Sequence, residues 1–298
     1  MKKFFIIFLS LFDKFYFLYY KYKIILCTIA KMENLYIREF IEHYKLIGVD
    51  KIILFDNNNK DGERFEDIIF DYINNDFVNI INYRDCKMCH YQSYEECYDK
   101  FKNKYNWFLF FDVDEYLILP NYKNVHEFVE DKKFNNFDII HVNWILYDDN
   151  DLIHYDNRPL QKRFIRPRHV INKSYKNKLI KSIIRSNLSE LKFFNSHTPK
   201  GNYSVCDVTG KKVRNSAILK ENYAEILNLT IPYLKHFNCK TVEEYFKNKL
   251  NRGFSDAYGV KNFKKIISKD YFFNHNNWSN LKEFIIDLLL FKYYNKNK

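Results

Sequence analysis

An α/β protein built on a mostly parallel sheet is the fold class that the sequence predicts, and three observations carry it. Short apolar runs alternate with segments of helical period from Lys23 to Leu117. The fourth run, Trp107 to Phe111, is aromatic-rich and holds no Gly, Pro or Asn, which marks a buried strand. That run ends in Asp112-Val113-Asp114-Glu115, at the place where an open α/β sheet puts its ligand.

Taken in order, the chain opens with Lys2-Lys3 and the apolar stretch Phe4 to Phe12, which resembles the start of a signal peptide. No small-residue cleavage site follows, and Asp13-Lys14 interrupts the run before it could span a bilayer. With the aromatic cluster Phe15 to Tyr20, residues 1–22 read as a basic, apolar helix suited to a membrane interface. Ile24 to Thr28 is a first strand. Ile37, Phe40, Ile41 and Tyr44 recur at helical spacing, and Gly48 closes that helix. Lys51 to Phe55 is a second strand, ending in the turn cluster Asp56 to Asn59. Phe65, Ile68, Ile69, Tyr72 and Ile73 mark a second helix, and Phe77 to Asn82 a third strand. Tyr94, Cys97, Tyr98 and Phe101 mark a third helix leading into the aromatic strand. Beyond it the pattern loosens. Asp138 to Trp144 reads as a strand, Asp148 to Pro159 as an acidic loop, Lys178 to Arg185 as a basic strand, and Val242 to Leu250 as a helix. Leu281, Phe284, Ile285, Leu288 and Leu289 give an amphipathic C-terminal helix with a Lys-rich tail. The expected organisation is an N-terminal helix at 1–22, one α/β domain at 23–256 and a helical tail at 257–298.

Composition narrows the function classes. The 298 residues, 47% hydrophobic and 19% aromatic, have ample material for a core. A formal charge of +11 suits nucleic acid, an anionic membrane or a phosphate-bearing substrate. A basic nucleic-acid-binding protein is therefore the alternative from another class, but the aromatics fall at core spacing and not as a stacking platform. No Gly-rich phosphate loop of either familiar pattern is present, which excludes a P-loop or dinucleotide fingerprint. The 6 cysteines are too few and scattered for a disulfide framework. Cys86-Lys87-Met88-Cys89-His90 matches the haem-attachment spacing but runs into a helix pattern and has no second motif beside it.

Side chains two apart on an extended chain point the same way, so Asp112 and Asp114 can converge on one cation. Carboxylate oxygens are hard ligands, which suits Mg2+ or Mn2+.

Several segments, in order, resemble one family. Cys27 to Asn34, Lys51 to Asn58 and Trp107 to Leu117 look like the opening strands and metal-binding Asp-x-Asp segment of family 2 and family 92-like glycosyltransferases. Asn143-Trp144, Tyr147 to Asn150, Arg158-Pro159, Lys181-Ser182-Ile183, His197-Thr198-Pro199 and Leu234 to Phe237 continue the resemblance to bacterial members linked to lipopolysaccharide and capsule synthesis. Met32, Asp148 and Phe237 depart from the family's commoner residues.

The resemblance implies a GT-A fold and a metal-dependent, inverting transfer from a nucleotide-sugar donor, UDP-linked, to a glycan or lipid-linked acceptor. It implies that Asp112 and Asp114 hold the metal, with His197 or His236 completing the shell. Thr28, Lys31, Glu33 and Asp56, at the ends of the first two strands, would lie near the nucleoside. Lys181 and Arg185 would meet the diphosphate, with Asp112 reaching the ribose. Asp149 is the first candidate base and Asp148 the second. The expected setting is the cytoplasm, peripheral on the inner face of the membrane, and no nucleic-acid partner is expected. A noncatalytic nucleotide-sugar-binding relative would show the same residues.

Overall fold

Period-two alternation along the first strands sends side chains into two separate cores. In β1 (Ile24–Ala30), Ile24, Leu26 and Ala30 join one apolar cluster, while Ile25 and Cys27 join another. In β4 (Trp107–Phe110), Trp107 and Leu109 face the first cluster, and Phe108 and Phe110 the second. The first layer is completed by α1 (Ile37–Leu46) and α2 (Glu66–Asn74), the second by α3 (His90–Phe101). Helices thus cover both faces of one sheet, and the sheet is buried on both sides. The computed structural model describes residues 22–168, 179–219, 228–252, 269–273 and 276–296. The expected interface helix at 1–22 lies, Tyr22 apart, outside the described residues, as does the start of the basic strand at Lys178.

The remaining strands are β2 (Lys51–Asp56), β3 (Val78–Asn82), β5 (Glu115–Ile118), β6 (Ile139–Leu146), β7 (Ile180–Arg185), β8 (Lys192–Phe193), β9 (Pro199–Lys200), β10 (Val205–Asp207) and β11 (Tyr233–His236). The main sheet runs β3-β2-β1-β4-β7-β6-β11-β5, with β10 also on β6, and β8 pairs β9 separately. Strands β1 to β4 are parallel, as the alternation of strand and helix predicts. The second half departs from that expectation. β7 lies antiparallel between β4 and β6, and β5 antiparallel to β11. The aromatic segment also differs: it leaves the sheet after Phe110, turns, and resumes at Glu115 as β5. Three strands separate β4 from β5 in the sheet order, a span of about 19 Å in a flat sheet. Five residue steps reach at most about 18 Å. The sheet therefore curls, and the acidic turn is drawn across its carboxyl end.

After β5 come two short helices, α4 (Val125–Val129) and α5 (Leu160–Arg163), then α6 (Val242–Arg252), α7 (Lys269–Phe273) and α8 (Asn280–Lys296). α8 packs on Cys239, Val242, Tyr245, Phe246 and Phe272. Arg163, itself buried, makes a two-point ion pair with Glu244 at 2.8 and 2.9 Å, which ties α5 to α6. No helix among the described residues is long and apolar enough to cross a membrane.

Two histidines are held neutral inside these layers. His43 donates from Nε2 to the Leu117 carbonyl at 2.9 Å, and burial lowers its pKa to about 4. Burial lowers His141 on β6 to about 3. Both lie below the ordinary 6.5, so the unfolded chain takes up protons that the folded chain excludes. The stability they confer is whole above pH 6.5 and is lost as the pH falls from there towards 4. The unfolding free energy should drop by about 1.4 kcal/mol per pH unit for each histidine. Urea midpoints across that window check this, and a flat profile would contradict it.

Candidate functional site

Strand register assembles the site. β11 runs antiparallel to β5 so that His236 stands opposite Glu115, and it runs parallel to β6 so that the same residue pairs with Leu146. The Phe237 amide donates to the Asp114 carbonyl at 2.9 Å, and the Glu115 amide to the Asp112 carbonyl at 3.0 Å. Asp114, Glu115 and His236 consequently offer ligand atoms within 4.8 Å of one another. The Asp114 carboxylate lies 3.7 Å from His236 Nε2 and 3.9 Å from the Lys240 ammonium. Burial opposes its ionisation, but His236 and then Lys240 hold it below the usual carboxylate range.

Asp112 faces a different set of partners. Lys181, fully buried on β7, donates to it at 2.7 Å, Tyr94 on α3 donates at 3.0 Å, and His90 Nε2 lies at 3.4 Å. Burial pushes the Asp112 carboxyl up, and the Lys181 ammonium, followed by His90, more than reverses that and keeps it well below its ordinary value. Glu115 has no exposure. Its Oε2 accepts from the Asp112 amide at 3.0 Å and lies 3.5 Å from Lys181, while Oε1 has no hydrogen-bond partner among the described residues. Burial drives its pKa well above the carboxylate range, Lys181 opposes this, and Asp112 and Asp114 add to it. Asp112 and Asp114 face the Lys181 and Lys240 ammonium groups, and Glu115, which burial holds toward its protonated form, would give up that proton to a cation. His236 Nδ1 is also buried without a hydrogen-bond partner among the described residues. A buried carboxyl oxygen and a buried imidazole nitrogen without hydrogen-bond partners among the described residues, on two members of the Asp114, Glu115 and His236 trio, fit a divalent cation.

The geometry differs from the expectation of one extended strand end. Asp112 and Asp114 sit on a turn, and their carboxylates take different partners: Lys181 for the first, His236 and Lys240 for the second. Glu115 takes the place beside Asp114 that the extended picture gave to Asp112. His197 is close by but outside that trio. It donates from Nδ1 to the Ile180 carbonyl at 2.8 Å, and its ring lies 5.2 Å from that of Trp144, which in turn lies 4.2 Å from that of His236. Burial, helped by Lys181, lowers His197 to about 4, so it is a neutral imidazole.

Thr28 pairs with Leu54, two residues before the strand ends where Ala30 pairs with Asp56. Thr28 is fully buried and its hydroxyl has no hydrogen-bond partner among the described residues. Asp56 is fixed by Arg84 at 2.7 Å and by the Asn58 side chain at 2.8 Å. Glu33 is buried and Lys31 half-buried in the turn that follows β1. Arg185 corrects the sequence reading. It pairs with Trp107 at the amino end of β4, where its guanidinium stacks 4.2 Å from the indole ring and bonds the Phe134 and Phe137 carbonyls. Four residues of strand, about 13 Å, separate it from Lys181, so it cannot serve the same group.

Asp149 and Asp148 are the second correction. Asp149 has no exposure, and both its oxygens face the buried Lys282 ammonium of α8, at 3.0 and 2.8 Å. Asp148 is paired with Arg166 at 3.0 and 2.7 Å. Each carboxylate also caps its own loop: Asp148 accepts from the Asn150 amide and Asp149 from the Asp151 amide. These turns hold Asn150 and Asp151 at positive φ, 49° and 62°. A carboxylate used in this way is not presented to an acceptor hydroxyl. The acidity of the loop comes from its internal bracing.

Lys240, His90 and Tyr94 are site residues that sequence reading missed. Lys240 sits at φ 58°, and its ammonium also lies 4.5 Å from the Tyr36 ring. His90 carried a visible signal, but for haem; in the fold it opens α3 and faces Asp112.

Comparison with known proteins now decides the family. The model described as "Glycosyltransferase family 92" matches residues 23–257. The chain belongs to glycosyltransferase family 92. A family 92 protein of Ricinus communis is 25% identical over 109 residues, which is 35% of this chain and 18% of the relative. One of Arabidopsis thaliana is 25% identical over 111 residues, again 35% and 18%. The match thus takes in under a fifth of the length of these curated relatives. Among solved structures, S. aureus TarS in complex with UDP-GlcNAc has 9% identity and a TM-score of 0.37, covering 76% of this chain and 64% of that one. At that TM-score the architecture rests on the strand order described above.

Proposed function

We propose that this family 92 chain is a cation-dependent, inverting glycosyltransferase. It would move a sugar from a UDP-linked donor to a glycan or lipid-linked acceptor in surface polysaccharide synthesis, in the cytoplasm and peripheral to the inner membrane face. The observation that carries the reading is the register that sets His236 opposite Glu115 and beside Asp114, with a buried atom on two of the three that has no hydrogen-bond partner among the described residues. Asp114, Glu115 and His236 would hold the cation. The mixed oxygen and imidazole set favours Mn2+ over Mg2+. When bound, the cation would stabilise charge on the departing diphosphate. Lys181 fixes Asp112 at the sheet's carboxyl edge, where its carboxylate could accept from a ribose hydroxyl. Thr28 and Asp56 would line the nucleoside side. Inversion is supported by the family resemblance and not by any base placed here.

A screen of nucleotide sugars for hydrolysis, with and without Mn2+, tests this. One donor should release its nucleoside diphosphate only with the cation. Binding with no release would make the chain a noncatalytic relative, and release of pyrophosphate would make it a nucleotidyltransferase.

A further inference from the structure

α8 is apolar on two faces. The inner face packs Ile285, Ile286, Leu289 and Leu290 into the C-terminal cluster and buries Lys282 against Asp149. The outer face carries Leu281, Phe284, Leu288 and Phe291 in three-four-three spacing, with Trp278 one turn before. Their exposures are 58%, 66%, 43% and 65%, and 59% for Trp278. A helix packed on a domain normally turns charge outward. Five large exposed apolar side chains in one row mark an interaction surface.

Charge selects the partner. Glu283 and Asp287, the acids of this helix, are both engaged by Lys269, at 2.9 and 3.0 Å. Lys292 is exposed, and Lys296 and Lys298 follow in the sequence, in a chain of net charge +11. We propose that the outer face of α8 docks on an anionic lipid surface. Trp278, Phe284 and Phe291 would enter the headgroup boundary, and the lysines would lie against lipid phosphates. A second copy of the chain is the poorer fit. The stripe spans two heptads, fewer than the roughly three or four of a coiled coil, and both copies would be strongly basic. The inference refines only the membrane-contact part of the proposed function, and its binding test needs no donor.

The test uses the full chain and vesicles of phosphatidylcholine containing a quarter phosphatidylglycerol, against pure phosphatidylcholine. Co-sedimentation should occur with the anionic vesicles and weaken with salt. Phe284→Gln with Phe291→Gln keeps helix propensity and should lower partitioning by at least about tenfold. Lys292→Glu should lower it by about tenfold. Circular dichroism should be unchanged in both, and so should hydrolysis of a soluble donor if the glycosyltransferase reading holds. Unchanged partitioning in both variants would overturn the proposal. So would a wild-type dimer that the glutamine variant dissociates without any vesicle binding, which would assign the face to a second copy. A large fall in melting temperature for the glutamine variant would also overturn it, because the face would then be covered within the chain.

Discussion

Asp114→Ala should reduce cation-dependent donor hydrolysis by about a thousandfold or more, since stabilising a departing diphosphate is worth several kcal/mol. The fold should survive, because the ion pair lost with Lys240 is a long one, at 3.9 Å, and Lys240 keeps the Tyr36 ring at 4.5 Å. His236→Ala should have a comparable effect, as it removes the ligand that β11 delivers to Glu115. Asp112→Asn should behave differently. It leaves Lys181, fully buried, with Glu115 as its remaining charged partner, so it should lower melting temperature as well as turnover. Turnover and melting curves on the three variants separate these roles. An Asp114→Ala enzyme that hydrolyses donor at the wild-type rate with Mn2+ would remove the cation site from the mechanism.

Lys282→Met should cost about 3 to 5 kcal/mol of stability, because Asp149 would be left buried without its counter-ion. Burial already raises the Asp149 pKa, with Lys282 opposing, so the variant should drive that carboxyl to its neutral form. Asp149→Asn should also destabilise, by a smaller amount, since Lys282 keeps Asp151 at 2.9 Å. For both variants, turnover per folded molecule should stay near wild type. Denaturant unfolding and kinetics on the same samples check this. A stable Asp149→Asn protein with transfer down by about a hundredfold or more would restore Asp149 as the base.

The first half of the fold was legible because its signals are local. Ile24 to Ala30 and Trp107 to Phe110 lack breakers and alternate between two cores, and Gly48, at φ 91°, ends the first helix as read. The antiparallel strands were not legible, since nothing in Ile180 to Arg185 states its neighbours. The same difference runs through the site. Asp114 announces itself as a strand-end acid. Its closeness to His236 depends on a pairing across more than a hundred residues, and no local pattern encodes that. Asp149 shows the cost: its sequence neighbourhood reads as an open acidic loop, but Lys282, 133 residues away, closes it. Arg185 is close to Lys181 in the chain, but the length of β7 sets the two at opposite ends of one strand.

The most direct measurement of the central claim is calorimetric titration of UDP into the full chain, once with Mn2+ and once with the cation chelated. The account predicts saturable binding with Mn2+ that is lost on chelation and in Asp114→Ala. Equal binding with and without the cation, or binding that Asp114→Ala leaves intact, would contradict it.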